Sequence, residues 1–376
     1  MIETRAAILS AFPADKPYAA SQPLSIETVT LDDPGPGEVL VKVAAAGLCQ
    51  SDLSVINGDR PRPMPMALGH ESAGMVQKVG AGVDDLAPGD HVIMVFVPSC
   101  GCCAPCSEGR PALCEPGAAA NGAGTLLSGA IRIHRNGGDV HHHVGVSGFA
   151  EHCVVSRRSL VKIDRDLPFS VAALVGCAVL TGVGAVVNTA QVRLGQTVAV
   201  IGLGGVGLSA VLGAVSAGAS KVIAVDIDAT KLDKARELGA THTFNSGDSD
   251  HVAAIREATS GGVDHAVETA GVVPALETAW SITRRGGQTV TASLANPDAR
   301  LPIAPVQLVA EERTLRGSYL GGGVPSRDIA RYIALYRAGR LPVDTLHTGT
   351  GTLDGINAAF DELASGRTIR HLIEMG

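Results

Sequence analysis

The 376 residues are 45% hydrophobic and 18% charged, with a formal net charge of −7. That length exceeds one ordinary core and predicts two domains, while the composition excludes a disordered or fibrous chain. The acidic balance, without any Lys/Arg-rich run, excludes nucleic acid as the natural partner.

At the N-terminus, Glu3, Arg5, Asp15 and Lys16 interrupt every apolar run, so no secretion signal is expected. The eight cysteines are therefore expected to be reduced thiols in a cytoplasmic protein. The first third carries short Val/Ala runs at 38–46, 72–79 and 91–96, separated by Gly/Pro turn clusters. This pattern predicts an irregular, mainly β domain. Residues 115–148 have little periodicity and read as a long excursion. Residues 167–192 carry no charge and are long enough to span a bilayer. Pro168, Asn188, Gln191 and several glycines, with a strand close behind, favour a buried helix and no membrane partner.

Beyond that helix the rhythm changes. Strands at 197–201, 221–225, 263–268 and 288–293 alternate with helices at 205–217 and 229–238. Such alternation predicts a doubly wound parallel sheet, giving an α/β chain as a whole. Two amphipathic helices, 326–338 and 353–364, and a short strand at 370–374 complete it.

Gly202, Gly204, Gly205, Val206 and Gly207 belong to a GxGxxG run that follows a strand and opens a helix. The glycines let the backbone turn tightly beneath a pyrophosphate, whose charge meets the helix N-terminus. Asp226 ends the next strand, where a carboxylate accepts both ribose hydroxyls and repels a 2′-phosphate. The reading is NAD+/NADH, with Lys231 within reach of the same ribose. The competing reading has Asp226 only capping the following helix.

Cys100, Cys103, Cys106 and Cys114 lie on one Gly/Pro-rich loop. Four thiolates at this spacing close a tetrahedral shell around Zn²⁺ and leave no open position, which predicts a structural metal. An iron–sulfur cluster is the rival, but the last gap is longer than in the usual ferredoxin run. Spacing alone does not identify Cys102, inside the loop, as the bystander. Cys153 reads as a packed thiol. For a second metal, Cys49 and His70 are candidates, although each alone is more often a core residue.

Taken together, GLCQSD, GHE, the four-cysteine loop, GCAVLTG and GLGGVG occur in the order of a known family. The chain resembles the zinc-dependent alcohol dehydrogenases of the medium-chain dehydrogenase/reductase superfamily. The resemblance implies a GroES-like, mainly β catalytic domain over 1–178, a Rossmann domain over 179–319, and a return to the catalytic domain over 320–376. It implies two zinc ions per chain, with the catalytic one held by Cys49, His70 and Cys177, and Asp52 and Glu71 as supporting carboxylates. Zinc would act on the alcohol oxygen as a Lewis acid, hydride would pass to NAD⁺, and Ser51 would receive the proton. Arg370 matches a phosphate contact. Phe96, His143, Val144 and Leu320 match substrate-lining positions, while His141 and His142 read as a solvated loop. The partners implied are a small alcohol or aldehyde and a second copy in a homodimer, or a homotetramer.

Two residues depart from many relatives: Ser54 stands where a relay His is common, and Gln50 where a cation meets the pyrophosphate. A serine cannot hold a proton at neutral pH, so the terminal base is expected to be solvent or a cofactor ribose. Two alternatives stay open. One is a glutathione-dependent formaldehyde dehydrogenase, against which Arg60 argues by charge. The other is a zinc-stapled NAD-binding redox sensor, for which Cys102 and Cys153 would suit a thiol switch. Whether the nicotinamide exchanges or stays bound also remains open, since some relatives retain it.

Overall fold

The computed structural model describes Met1–Gly376 as two compact units. The first comprises Met1–Cys177, Val324–Arg331 and His347–Gly376. Its strand Ile2–Leu9 shows how the β portion is built. Ala6 and Ile8 enter one apolar cluster, while Ala7 and Leu9 enter another. The two-residue alternation of a strand thus serves two cores at once. The same strand pairs with Leu24–Leu31 and Met66–Ala67 in a closed barrel completed by Ile133–Arg135 and Gly138–His142. A second sheet is centred on Glu38–Gly47, which pairs with Glu71–Val79, His152–Ser156 and the terminal strand His371–Glu374.

The stretch 115–148 is more ordered than expected. It contains the helix Glu115–Ala123 and two barrel strands joined at Asn136-Gly137. Both turn residues have positive φ, 53° and 79°. That is the geometry Asn-Gly favours in a two-residue hairpin, and the pair was a readable signal.

The second unit comprises Ala178–Gly323 and Tyr332–Leu346. Its six parallel strands lie in the order His242–Asn245, Lys221–Asp226, Thr197–Ile201, Val263–Glu268, Thr283–Thr291, Thr314–Gly317. Numbered along the chain this is 3-2-1-4-5-6, the Rossmann order. Ala199, Ile201, Ile223, Val225 and Ala266 build the core with Ile255, Ala279 and Ile282 from helices. The return to the first unit is not made in one step at residue 320. The turn Val343–Leu346 packs on the helix Gly205–Ser216, whose Ser216 hydroxyl donates to the Arg340 carbonyl at 2.7 Å.

The uncharged segment forms one 22-residue helix, Phe169–Ala190, with 89% of its apolar window buried. It passes the length and hydropathy test for a membrane span, but its surface is covered by protein. Two π-helical turns, Val175–Val179 and Ala185–Ala190, interrupt it.

Candidate active site

Three distant segments of the first unit converge on one buried cluster. Cys49 ends the turn after Glu38–Gly47 and precedes the helix Gln50–Ile56. His70 and Glu71 open the strand Glu71–Val79, and Cys177 lies on the first π-helical turn, a distortion common at functional sites. The ligand atoms of Cys49, His70, Glu71 and Cys177 all lie within 4.8 Å of one another, and all four residues are buried. Cys177 Sγ is 3.7 Å from His70 Nε2. Zinc bonds of about 2.3 Å to sulfur and 2.0 Å to nitrogen at a tetrahedral angle separate these atoms by about 3.5 Å. The donor set therefore fits zinc in both spacing and charge, since two thiolates and a neutral imidazole balance Zn²⁺.

Asp52 is fully buried and orients the imidazole. Its Oδ1 lies 3.1 Å from His70 Nδ1 and accepts from Gly69 N at 3.2 Å. This leaves His70 Nε2 to face the thiols. Burial opposes charge on Asp52, yet His70 and His143 hold its carboxyl well below the ordinary carboxylate range. Burial also raises Glu71, against the opposing pull of Arg370. Arg370 is itself buried, with Nη1 3.2 Å from both Glu71 oxygens and from the Leu48 carbonyl. Its observed partners are thus a carboxylate and the backbone of the cluster, and it is not a surface arginine.

Ser51 is half-buried at the start of Gln50–Ile56. Its carbonyl accepts the Ser54 hydroxyl at 2.8 Å, so Ser54 is committed to the backbone. Phe96 and His143 each meet the His70 ring edge-on, with centroids 5.4 Å away. Val144 follows, buried, at a φ of 43°. Leu320 belongs to the second unit, where it is buried at a φ of 50°.

One reading is corrected here. His142 is not in a solvated loop. It is fully buried in the strand Gly138–His142, beside Met66–Ala67, with Val140 turned inward on the same face. Its Nε2 accepts from Arg132 N at 3.1 Å, and burial pushes its pKa down to about 3. His141 lies on the opposite face of the strand and is half-buried near Gly124.

The cysteine loop brings the sulfurs of Cys100, Cys103, Cys106 and Cys114 within 4.8 Å of one another. Cys103 Sγ and Cys114 Sγ are 4.0 Å apart, close to the roughly 3.8 Å edge of a tetrahedral zinc–sulfur shell. Backbone amides point at the sulfurs: Cys100 N at Cys114 Sγ (3.1 Å) and Cys103 N at Cys100 Sγ (3.3 Å). The amides of Cys102 and Cys103 bring the Cys100 thiol down to about 6. Cys102 is exposed, its Sγ 3.6 Å from that of Cys100. Cys153 is buried against the Met94 sulfur at 3.7 Å.

In the second unit Gly202-Leu203-Gly204 leads into the helix Gly205–Ser216, with Gly204 as its N-cap and Val206 in its first turn. A Cβ on Gly207 would fall 1.8 Å from the Gly202 carbonyl oxygen, so only glycine permits this close strand-to-helix turn. Asp226 accepts from Leu203 N at 2.6 Å and Asp228 N at 2.9 Å. The next helix, Ala229–Glu237, is capped by Asp228 and carries Lys231 half-buried on its first turn. The acid after the second strand is therefore tied to the glycine loop.

An alcohol dehydrogenase GroES-like domain matches residues 35–165, and a zinc-binding dehydrogenase domain matches 205–338. The NDMA-dependent alcohol dehydrogenase of Amycolatopsis methanolica is 40% identical over 376 residues, covering 99% of each chain. The chain belongs to the zinc-dependent alcohol dehydrogenases of the medium-chain dehydrogenase/reductase superfamily. Among solved structures, an alcohol dehydrogenase zinc-binding domain protein from Burkholderia ambifaria superposes with a TM-score of 0.94 at 36% identity, covering 100% of this chain and 99% of that one. The benzyl alcohol dehydrogenase of Acinetobacter calcoaceticus gives 0.93 at 32%, with both chains fully covered.

The sequence reading of this dehydrogenase missed Glu268. This buried residue ends the strand Val263–Glu268. Its Oε1 accepts from Ala270 N and Gly271 N, and its Oε2 from the hydroxyls of Thr291 and Ser293, all at 2.6–2.8 Å. An acid at a strand end before Thr-Ala-Gly was the available signal. Its far partners, 23 and 25 residues on, were not.

Proposed function

We propose that this alcohol dehydrogenase oxidises primary alcohols to aldehydes reversibly, with Cys49, His70 and Cys177 holding a catalytic zinc and NAD⁺ taking the hydride. The observation that carries the reading is the convergence of two buried thiols and an oriented imidazole at zinc-ligand spacing. Zinc held there would supply the positive charge that lowers the pKa of an alcohol oxygen. The chain's own residues do the rest. Asp52 fixes the tautomer of His70, and Phe96 packs edge-on against its ring. The Ser51 hydroxyl both donates and accepts, so it suits passage of the alcohol proton toward solvent. The cysteine loop would hold the second, structural zinc. Asp226 and the glycines favour NAD over NADP, because a fixed carboxylate repels a 2′-phosphate.

Metal quantification together with an alcohol panel, read by NADH absorbance, tests this. Two zinc ions per chain and turnover are expected. Full zinc loading without turnover would instead favour a binding module.

A second reading is favoured by the relative named for NDMA dependence. In that reading the nicotinamide stays bound and electrons leave to an external acceptor. Purified protein would then release dinucleotide on denaturation and turn over alcohol with NDMA but without added NAD⁺.

We also propose a cytoplasmic homodimer. Eight free thiols suit a reducing compartment. The edge strand Thr314–Gly317 is exposed along its length, and Val306, Val309 and Leu294 of the same unit are 67%, 81% and 55% exposed. A second copy pairing edge to edge would cover this face. Val309→Asp should shift the mass by light scattering toward monomer.

A further inference from the structure

The cysteine loop carries one sulfur more than a tetrahedral shell needs. Cys100, Cys103, Cys106 and Cys114 form the four-sulfur set, and Cys102 stands just outside it. Its thiol donates to Cys100 Sγ at 3.6 Å, which is van der Waals contact for two sulfurs. Of the eight free thiols, Cys102 is the only exposed one.

The turn between the two residues explains the contact. Gly101 has a φ of 82°, a conformation that residues with a side chain rarely adopt. The reversal folds the amides of Cys102 and Cys103 back toward Cys100 Sγ, at 3.5 and 3.3 Å, and sets the Cys102 thiol against the same sulfur. The exposed Arg158 lies over this turn: a Cβ on Gly101 would fall 3.2 Å from its Nη1. A cation thus stands beside the solvent-facing sulfur pair.

We propose that Cys102 is a site of oxidative modification by small anionic disulfides, that Cys100 is its resolving partner, and that their pairing expels the zinc of the cysteine loop. Accessible cysteines beside a resolving thiol are the usual seats of such chemistry. In the first step the Cys102 sulfur attacks one sulfur of a disulfide RSSR. The S–S bond breaks, a mixed disulfide forms, and one RS group leaves with the Cys102 proton as RSH. In the second step the Cys100 sulfur attacks Cys102 Sγ and displaces the other RS group as a thiolate. The protein pair is oxidised by two electrons, and RSSR is reduced to two thiols. The loop then offers only Cys103, Cys106 and Cys114, and no longer closes a tetrahedral shell. Arg158 favours an RSSR that carries carboxylates over a neutral one. Cys49 and Cys177 are buried, so the catalytic set stays intact. This inference rests on the cysteine loop being the structural zinc site.

The test uses the full-length, zinc-loaded protein, incubated with glutathione disulfide and a chromogenic zinc chelator. Wild type should release one of its two zinc ions, and peptide mass spectrometry after alkylation should map a bond between Cys100 and Cys102. Dithiothreitol with added zinc should restore the loop. Cys102→Ser lies outside both ligand sets, so it should load normally and release zinc at least about tenfold more slowly. Arg158→Ala should slow the reaction with glutathione disulfide but not with uncharged hydroxyethyl disulfide. Release from Cys102→Ser as fast as from wild type overturns the inference. So does a bond that joins any other two cysteines, or a wild type that stays unmodified and keeps both ions. Equal slowing of both reagents in Arg158→Ala overturns the preference for an anionic disulfide. If wild type holds no ion that Cys103→Ala removes, the structural-zinc reading falls and the expulsion with it, while the mapped bond still shows whether Cys100 and Cys102 pair.

Discussion

The two metal-ligand sets of the first unit are built in opposite ways. Cys100, Cys103, Cys106 and Cys114 come from one loop, three of them half-buried, and their sulfurs take hydrogen bonds from the loop's own amides. Cys49, His70 and Cys177 come from three segments far apart in sequence, are all buried, and depend on Asp52, Glu71 and Arg370 for charge balance and orientation. The loop needs little of the fold to assemble, whereas the buried set exists only once the fold is complete. On the function proposed above, the first would hold the chain and the second would do chemistry.

Single substitutions should separate the two roles. Cys49→Ala should remove one of two zinc ions and lower kcat by about 10³-fold or more, the scale of losing a Lewis acid, with little change in melting temperature. Cys103→Ala should remove the other ion and cost about 3 kcal/mol of stability, with residual activity tracking the folded fraction. Elemental analysis, thermal melts and initial rates on both variants check this. The division of labour would break if Cys49→Ala destabilised the chain as much as Cys103→Ala does.

The same contrast decides what the sequence could show. The cysteine loop, the glycine run and Asp226 are contiguous or closely spaced, so their chemistry could be read from spacing. Glu71 and Leu48 beside Arg370, the Thr291 and Ser293 hydroxyls on Glu268, and the strand Met66–Ala67 beside His142 lie too far along the chain for any local pattern to reveal. The parallel sheet followed from alternation, since each strand and helix has its own period, but its strand order and the short strands His242–Asn245 and Thr314–Gly317 did not. The barrel strands in 115–148 did not, because they are three and five residues long and only Asn136-Gly137 marks them.

The second unit offers its own version of this test. Glu268→Gln places an amide against donors that need an acceptor, and should cost about 2–3 kcal/mol of stability. NADH affinity should fall with it if the loop at Ala270-Gly271 helps form the cofactor site; fluorescence titration and thermal melts read the two effects separately. Asp226→Ala should act more locally. It removes one carboxylate and should narrow the NAD-over-NADP preference by about 10- to 100-fold, the scale of a lost charged hydrogen bond. Equal preference before and after would break the link between Asp226 and cofactor choice.

The effect that is smallest at pH 7, and grows only on acidification, concerns His142, an assembled feature with no proposed chemistry. Burial holds its folded pKa near 3, whereas an unfolded histidine titrates near about 6.5. Between these values the unfolded chain binds a proton that the native chain does not. The contribution of His142 is therefore intact above about pH 6.5 and is lost as pH falls toward 3, at up to about 1.4 kcal/mol per pH unit. Other groups titrate in the same window, so the informative quantity is the difference between wild type and His142→Gln. Denaturant unfolding at pH 7, 6, 5 and 4 should show the wild type losing stability more steeply than the variant by about one proton's worth of slope. Gln keeps an acceptor for Arg132 N but cannot ionise, so the variant can start lower at pH 7 and still lose less on acidification. Parallel curves would mean that His142 protonates in the native state with little penalty, which its burial forbids.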